Sequence, residues 1–271
     1  MKKIFYLITA LVLTIEVQSQ TAQDYSNSGL AKAKNQDYKG AMADFTMAIK
    51  INPKFAEAYN RRGVVKQNLH DHQGAITDFN KAIEIDSKYV KAYNNRGLSK
   101  KELFDYKGAI DDYTKSILVN PKDAEVYFNR GTVISKLQDY RGAIDDFTKS
   151  ILINPQNARA YYNRGTLKSE NLHDYQGAIK DFSKAIEINP KFEEAYFNRG
   201  TLKAEHLHDY QGAINDLTKA IEINSKDAVA YYNRGKSKVA LGQKANGCLD
   251  FNKARELGDN KADEAIKYYC K

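Results

Sequence analysis

Between residues 22 and 261 the apolar and polar positions fall into one recurring pattern, most complete in the stretch Tyr161–Pro190. Tyr161, Gly165 and Leu167 lie on one side of a predicted helix that ends near Leu172. The run HDYQG at 173–177 is a polar turn. Ala178, Ile179, Phe182, Ala185 and Ile186 then recur at i, i+1, i+4, i+7 and i+8, the apolar stripe of a second helix. Asn189-Pro190 ends that helix, because proline lacks an amide hydrogen and restricts the residue before it. Gly165 and Ala178 are small where the two helices must approach closely. Neither helix can bury its stripe alone, so the pattern demands stacked neighbours.

The period supports this reading. The first-helix glycine falls at Gly29, Gly63, Gly97, Gly131, Gly165, Gly200 and Gly235, in steps of 34 or 35 residues. In phase with it run an aromatic slot (Tyr25, Tyr59, Tyr93, Tyr127, Tyr161, Tyr196, Tyr231) and a second-helix alanine slot (Ala41, Ala75, Ala109, Ala143, Ala178, Ala213, with Gly247 last). The large slot holds Phe45, Phe79, Tyr113, Phe147, Phe182, Leu217 and Phe251. All four prolines of the chain, Pro53, Pro121, Pro155 and Pro190, occupy the stop position.

This pattern resembles the tetratricopeptide repeat, here of the exported bacterial type with seven copies. The resemblance implies an all-α fold, a right-handed superhelical solenoid of helix-turn-helix repeats. The expected repeats are 22–55, 56–89, 90–123, 124–157, 158–192, 193–227 and 228–261, and the family's leucine slot holds arginine in six of them and Ser28 in the first. Residues 260–271, rich in Ala, Lys and Glu, are the expected C-terminal capping helix over the last apolar face. Gly258 before it suits a left-handed C-cap.

Residues 1–19 change the picture of where the chain works. Lys2 and Lys3, the apolar run Ile4 to Ile15 and Val17-Gln18-Ser19 read as a signal peptide with cleavage before Gln20. The expected location is therefore exported, periplasmic or extracellular. The net charge of +8 becomes +7 without those residues, with 40 basic and 33 acidic side chains spread through every unit. That is a solvated surface rather than a nucleic-acid tract. No later apolar run is long enough to span a bilayer, so no integral span is expected after signal cleavage.

Catalytic chemistry is not indicated. There is no nucleophile elbow, no CxxC and no phosphate-cradling loop, so the chain is not expected to be an enzyme or to hold a cofactor. His70-Asp71-His72 and His206-Leu207-His208-Asp209 fall on turns and make poor metal pairs, so no metal site is expected. The aspartate before the large slot (Asp44, Asp78, Asp112, Asp146, Asp181, Asp216, Asp250) and the arginine before the glycine recur in nearly every unit. They therefore predict a structural ion-pair ladder rather than an active site.

The slot two before the glycine differs. It holds Asn27, Asn95, Asn129, Asn163, Asn198 and Asn233, with Arg61 breaking the run, and one residue earlier stand Phe128, Tyr162, Phe197 and Tyr232 in the later units. Thr132, Thr166 and Thr201 follow the glycine, and these offsets share one helical face. The resemblance implies that first helices line a concave groove and that these slots face it. The asparagines are similar to the ladder in the repeats of O-linked N-acetylglucosamine transferase, where amides grip a peptide backbone, since each offers a donor and an acceptor. The expected partner is a protein or extended peptide, and the expected work that of a scaffold or adaptor. An envelope glycan or small ligand, or an accessory role in an enzyme complex, are the alternatives. Glu57, Lys91, Glu125, Arg159 and Glu194 stand where related co-chaperone repeats grip a carboxylate, and their mixed charge does not support such a clamp. The four late aromatics are expected to be more exposed than Tyr127, Tyr161, Tyr196 and Tyr231.

The two cysteines complete the reading. Cys248 and Cys270 stand ten residues before Gly258 and ten after Asn260. An antiparallel hairpin at Gly258-Asp259 brings them level, since each arm is about 15 Å of helix. A disulfide is expected, consistent with an oxidising compartment.

Overall fold

The computed structural model describes residues 20–271; the expected signal peptide lies outside them. The described residues form fifteen α-helices and no strand. Fourteen pair as antiparallel hairpins. In order these are α1 (Ala22–Lys34) with α2 (Tyr38–Ile51), α3 (Ala56–Asn68) with α4 (His72–Ile85), and α5 (Val90–Glu102) with α6 (Tyr106–Val119). There follow α7 (Ala124–Lys136) with α8 (Tyr140–Ile153), α9 (Ala158–Glu170) with α10 (Tyr175–Ile188), and α11 (Glu193–His206) with α12 (Tyr210–Ile223). The last pair is α13 (Ala228–Ala240) with α14 (Lys244–Glu256), and α15 (Lys261–Tyr269) packs on α14. The hairpins form two compact units, one ending at Pro121 and one spanning Lys122–Lys271. None of the described helices is long and apolar enough to cross a membrane.

Local sequence explains the hairpins. Asp37, Asp71, Asp105, Asp139, Asp174 and Asp209 are N-caps, each accepting the amide of the glycine three residues on. The residue before each cap takes a positive φ of 53–63°, in Gln36, His70, Phe104, Gln138, His173 and His208. The seventh hairpin has Gly242 there instead, with φ 74°. The second helices supply the core: their alanine-slot and large-slot side chains from Ala41 to Leu217 are at most 1 % exposed, as is Phe251. The first-helix glycine gives them room, since a Cβ on Gly165 would stand 2.9 Å from the Phe182 ring.

The arginine and aspartate slots pair within each hairpin. Arg62, Arg96, Arg130, Arg164, Arg199 and Arg234 each donate Nε and Nη2 to the two oxygens of Asp78, Asp112, Asp146, Asp181, Asp216 and Asp250. Lys66, Lys100, Lys168, Lys203 and Lys238 add a second cation at 2.8 Å. A third arginine nitrogen reaches into the preceding hairpin: Arg62 to Thr46, Arg96 to Asn80, Arg164 to Thr148, Arg199 to Ser183 and Arg234 to Thr218. The ladder is thus structural, and within each unit it ties neighbouring hairpins together.

At the C-terminus the chain reverses at Gly258, φ 96°. Cys248 and Cys270 are joined by a disulfide with their Cα atoms 5.7 Å apart. Helix α15 buries Ala262 and Ala265, and Tyr269 stacks on Phe251 with 6.0 Å between ring centres.

Candidate binding face of the first helices

The asparagine slots spend much of their hydrogen bonding on neighbouring hairpins. In the first unit Asn95 donates to Asn60 Oδ1 at 3.0 Å, whereas Asn27 accepts from Gln23 on its own helix at 3.0 Å. Arg61, which breaks the run, donates to the carbonyl and hydroxyl of Ser26 and to Glu57. In the second unit Asn198 donates to the Tyr162 hydroxyl at 3.1 Å, and Asn233 to Thr201 at 3.3 Å. Asn163 follows a hairpin whose corresponding residue is Phe128, whose side chain has no acceptor, and its side-chain amide makes no hydrogen bond among the described residues. Asn129 sits half-buried beside a cavity that Phe128 and Arg159 also line.

Of the late aromatics, Phe128 overturns the sequence expectation, being more buried than Tyr127. None is exposed: Phe128 is buried, while Tyr162, Phe197 and Tyr232 are half-buried like Tyr127, Tyr161, Tyr196 and Tyr231. Each reaches across the seam to a second helix. Phe128 packs on Phe147, Tyr162 on Phe182 and Phe192, Tyr232 on Phe251, and Phe197 against Leu217 and Ile221. The tyrosines expected to be more buried lie on the arginine side instead, with the guanidinium of Arg130, Arg164, Arg199 or Arg234 5.3–5.8 Å over the ring. These four aromatics are walls of the site and part of the core at once.

Three adjoining cavities flank α11. One of 440 Å³ is lined by Tyr162, Phe197, Asn198, Val229 and the carboxylates Glu193, Glu194 and Asp227. The next, 340 Å³, shares Asn198 and continues to Ser169, Glu170 and Glu205. The third, 390 Å³, shares Thr201 and Glu205 and reaches Asn233, Lys236 and Tyr269. They follow the asparagine and threonine slots, so the face picked out in the sequence is concave here.

The first cavity was not legible in the sequence. Burial, followed by the Asp227 carboxylate and then Glu194, pushes Glu193 up to about 7. Asp227 is also the N-cap of α13, accepting the amides of Val229 and Ala230. Burial likewise raises the Tyr162 and Tyr232 phenols. Glu193 opens α11 and Asp227 caps α13, so the pair forms where successive hairpins stack, and projecting one hairpin onto the next is the signal that would have found it. Among the described residues no three metal-binding side chains gather; His206 instead stacks on Tyr175 at 3.7 Å.

Repeated antiparallel helix pairs, seamed by glycine against a large apolar residue and hollowed along the first helices, define a helical-repeat protein. Its family is the tetratricopeptide repeat. Models of that family match residues 56–89, 90–123, 124–157, 172–205 and 207–242, together more than half of the chain, and the chain belongs to it. No curated protein matches the sequence. Among solved structures the chain is similar to YrrB, described as a TPR protein with an unusual peptide-binding site, at 25% identity and a TM-score of 0.59, over 69% of this chain and 95% of that one. A tetratricopeptide repeat protein from Parabacteroides merdae matches at 24% identity and a TM-score of 0.63, over 92% of this chain and 99% of its own. The C-terminal part of a TPR repeat-containing protein from Cytophaga hutchinsonii reaches a TM-score of 0.74 at 18% identity, over 89% and 98% of the two chains. The last two are likenesses of fold alone.

Proposed function

We propose that this chain is an exported tetratricopeptide-repeat adaptor, without catalysis of its own, that holds a protein segment or extended peptide against α9, α11 and α13. In this reading the first and last hairpins are repeats too, making seven. The observation that carries it is the row of three adjoining cavities along the asparagine and threonine slots. Asn198 and Asn233 use their donors between hairpins, which leaves side-chain oxygens beside the cavities to accept from a peptide amide. The likeness to YrrB, whose description names a peptide-binding site, supports the same use.

A photo-crosslinking amino acid at Thr201, in the row, and one at the exposed Lys219 on α12 test the reading in cells. Adducts with one protein from Thr201 and none from Lys219 are expected, and Asn163→Ala with Asn198→Ala should reduce them severalfold. Adducts from Lys219 alone would place binding elsewhere. Export rests on residues 1–19 and gains support from the disulfide, which persists in oxidising compartments. Mass spectrometry of the mature chain should find a start near Gln20; a soluble protein retaining Met1 would contradict it.

A further inference from the structure

We propose that the cavity between α9, α11 and the start of α13 receives a cationic side chain, lysine or arginine, from an extended peptide. This rests on the groove reading above and adds the chemistry of the partner. The whole chain is basic, at +8, yet this cavity is lined by Glu193, Glu194 and Asp227 and by no lysine or arginine. Among the described residues none of the three carboxylates has a basic partner in an ion pair. The Asp44, Asp78, Asp112, Asp146, Asp181, Asp216 and Asp250 slots elsewhere in the repeats do.

The walls suit a long cationic side chain. Tyr162 and Phe197 offer aromatic surface, which attracts an ammonium or guanidinium, and Val229, 49% exposed, offers an apolar patch for its methylenes. Carboxylates that face one another without a cation repel, and a ligand's positive charge relieves that repulsion. Burial first, and then the facing Asp227 carboxylate, hold Glu193 raised in this cavity. The titratable groups around it are Tyr162 on α9, Glu194 on its own helix and Asp227 at the start of α13. A cation favours ionised Glu193, so binding expels the proton, and affinity rises as pH climbs through 7. The adjoining 340 Å³ cavity continues the bias with Glu170 and Glu205.

The test is an amide NMR titration of the full chain with acetylated, amidated Gly-Ser peptides carrying one central lysine, arginine, glutamine or glutamate. The lysine and arginine peptides are expected to bind about tenfold tighter than the glutamine peptide at about pH 8, and to shift Glu193, Phe197 and Asp227. That preference should shrink toward about pH 6, where Glu193 is protonated. Glu193→Gln with Asp227→Asn should abolish it; asparagine keeps the helix cap, and an unchanged melting temperature verifies the fold. Equal binding of all four peptides, or a preference for glutamate, overturns the charge assignment while the groove reading stands. If no peptide shifts any resonance along α9, α11 and α13, both fall.

Discussion

At Asp181 a carboxylate only 4% exposed accepts Arg164 on both oxygens and Lys168 on one. Arg164 in turn reaches Thr148 in the hairpin before. The side chain therefore joins three elements, and its charge is tolerated in the core only because two cations hold it. Asp181→Ala leaves the arginine partly buried with nothing to pair, which should cost about 3 kcal/mol in a denaturant melt. Adding Arg164→Met removes the stranded charge, and the double variant should recover part of the loss. A loss well under 1 kcal/mol in the single variant would show that water takes over the role.

At the scale of the helix pair, each turn between first and second helix combines one strained residue with one good cap. Gln138 sits at φ 63° before the Asp139 cap, a region where a side chain crowds the backbone. The seventh hairpin puts Gly242 at the same place. Gln138→Gly should therefore raise stability by about 0.5–1 kcal/mol, the relief of strain less the added freedom of the unfolded chain, read as a higher melting temperature. The periodic slots that build these pairs were legible in the sequence, because Gly165, Ala178 and Phe182 must coincide for two helices to close. The fate of Phe128 and Tyr162 was not, because whether a residue on the first-helix face stays open depends on the second helices of its own and the next hairpin. Nor was the Glu193–Asp227 pair, whose members only meet when the α11 and α13 hairpins stack. The asparagine face lay between these cases: its concavity followed from the repeat, while Asn198 and Asn233 proved to bond their neighbours as well as line the cavities.

At the scale of the molecule, hairpins within each unit pack mainly on their sequence neighbours, so a perturbation at one end of a unit should stay there. The C-terminal end carries the covalent tie. The disulfide closes a loop between residues 22 apart and holds α15 against α14, where Ala262 and Ala265 are buried and Tyr269 stacks on Phe251. A loop of that size contributes about 3 kcal/mol by restricting the unfolded chain. Reduction should therefore release α15 and loosen α14, while α1 to α6, in the other unit, keep their protection. Hydrogen exchange of the full chain, with and without dithiothreitol, reads this directly. Faster exchange confined to residues 244–271 and the adjoining α13 is the expected pattern. Equal protection in both states would mean that packing alone holds α15; loss across the whole chain would mean that the repeats do not behave as a nearest-neighbour array.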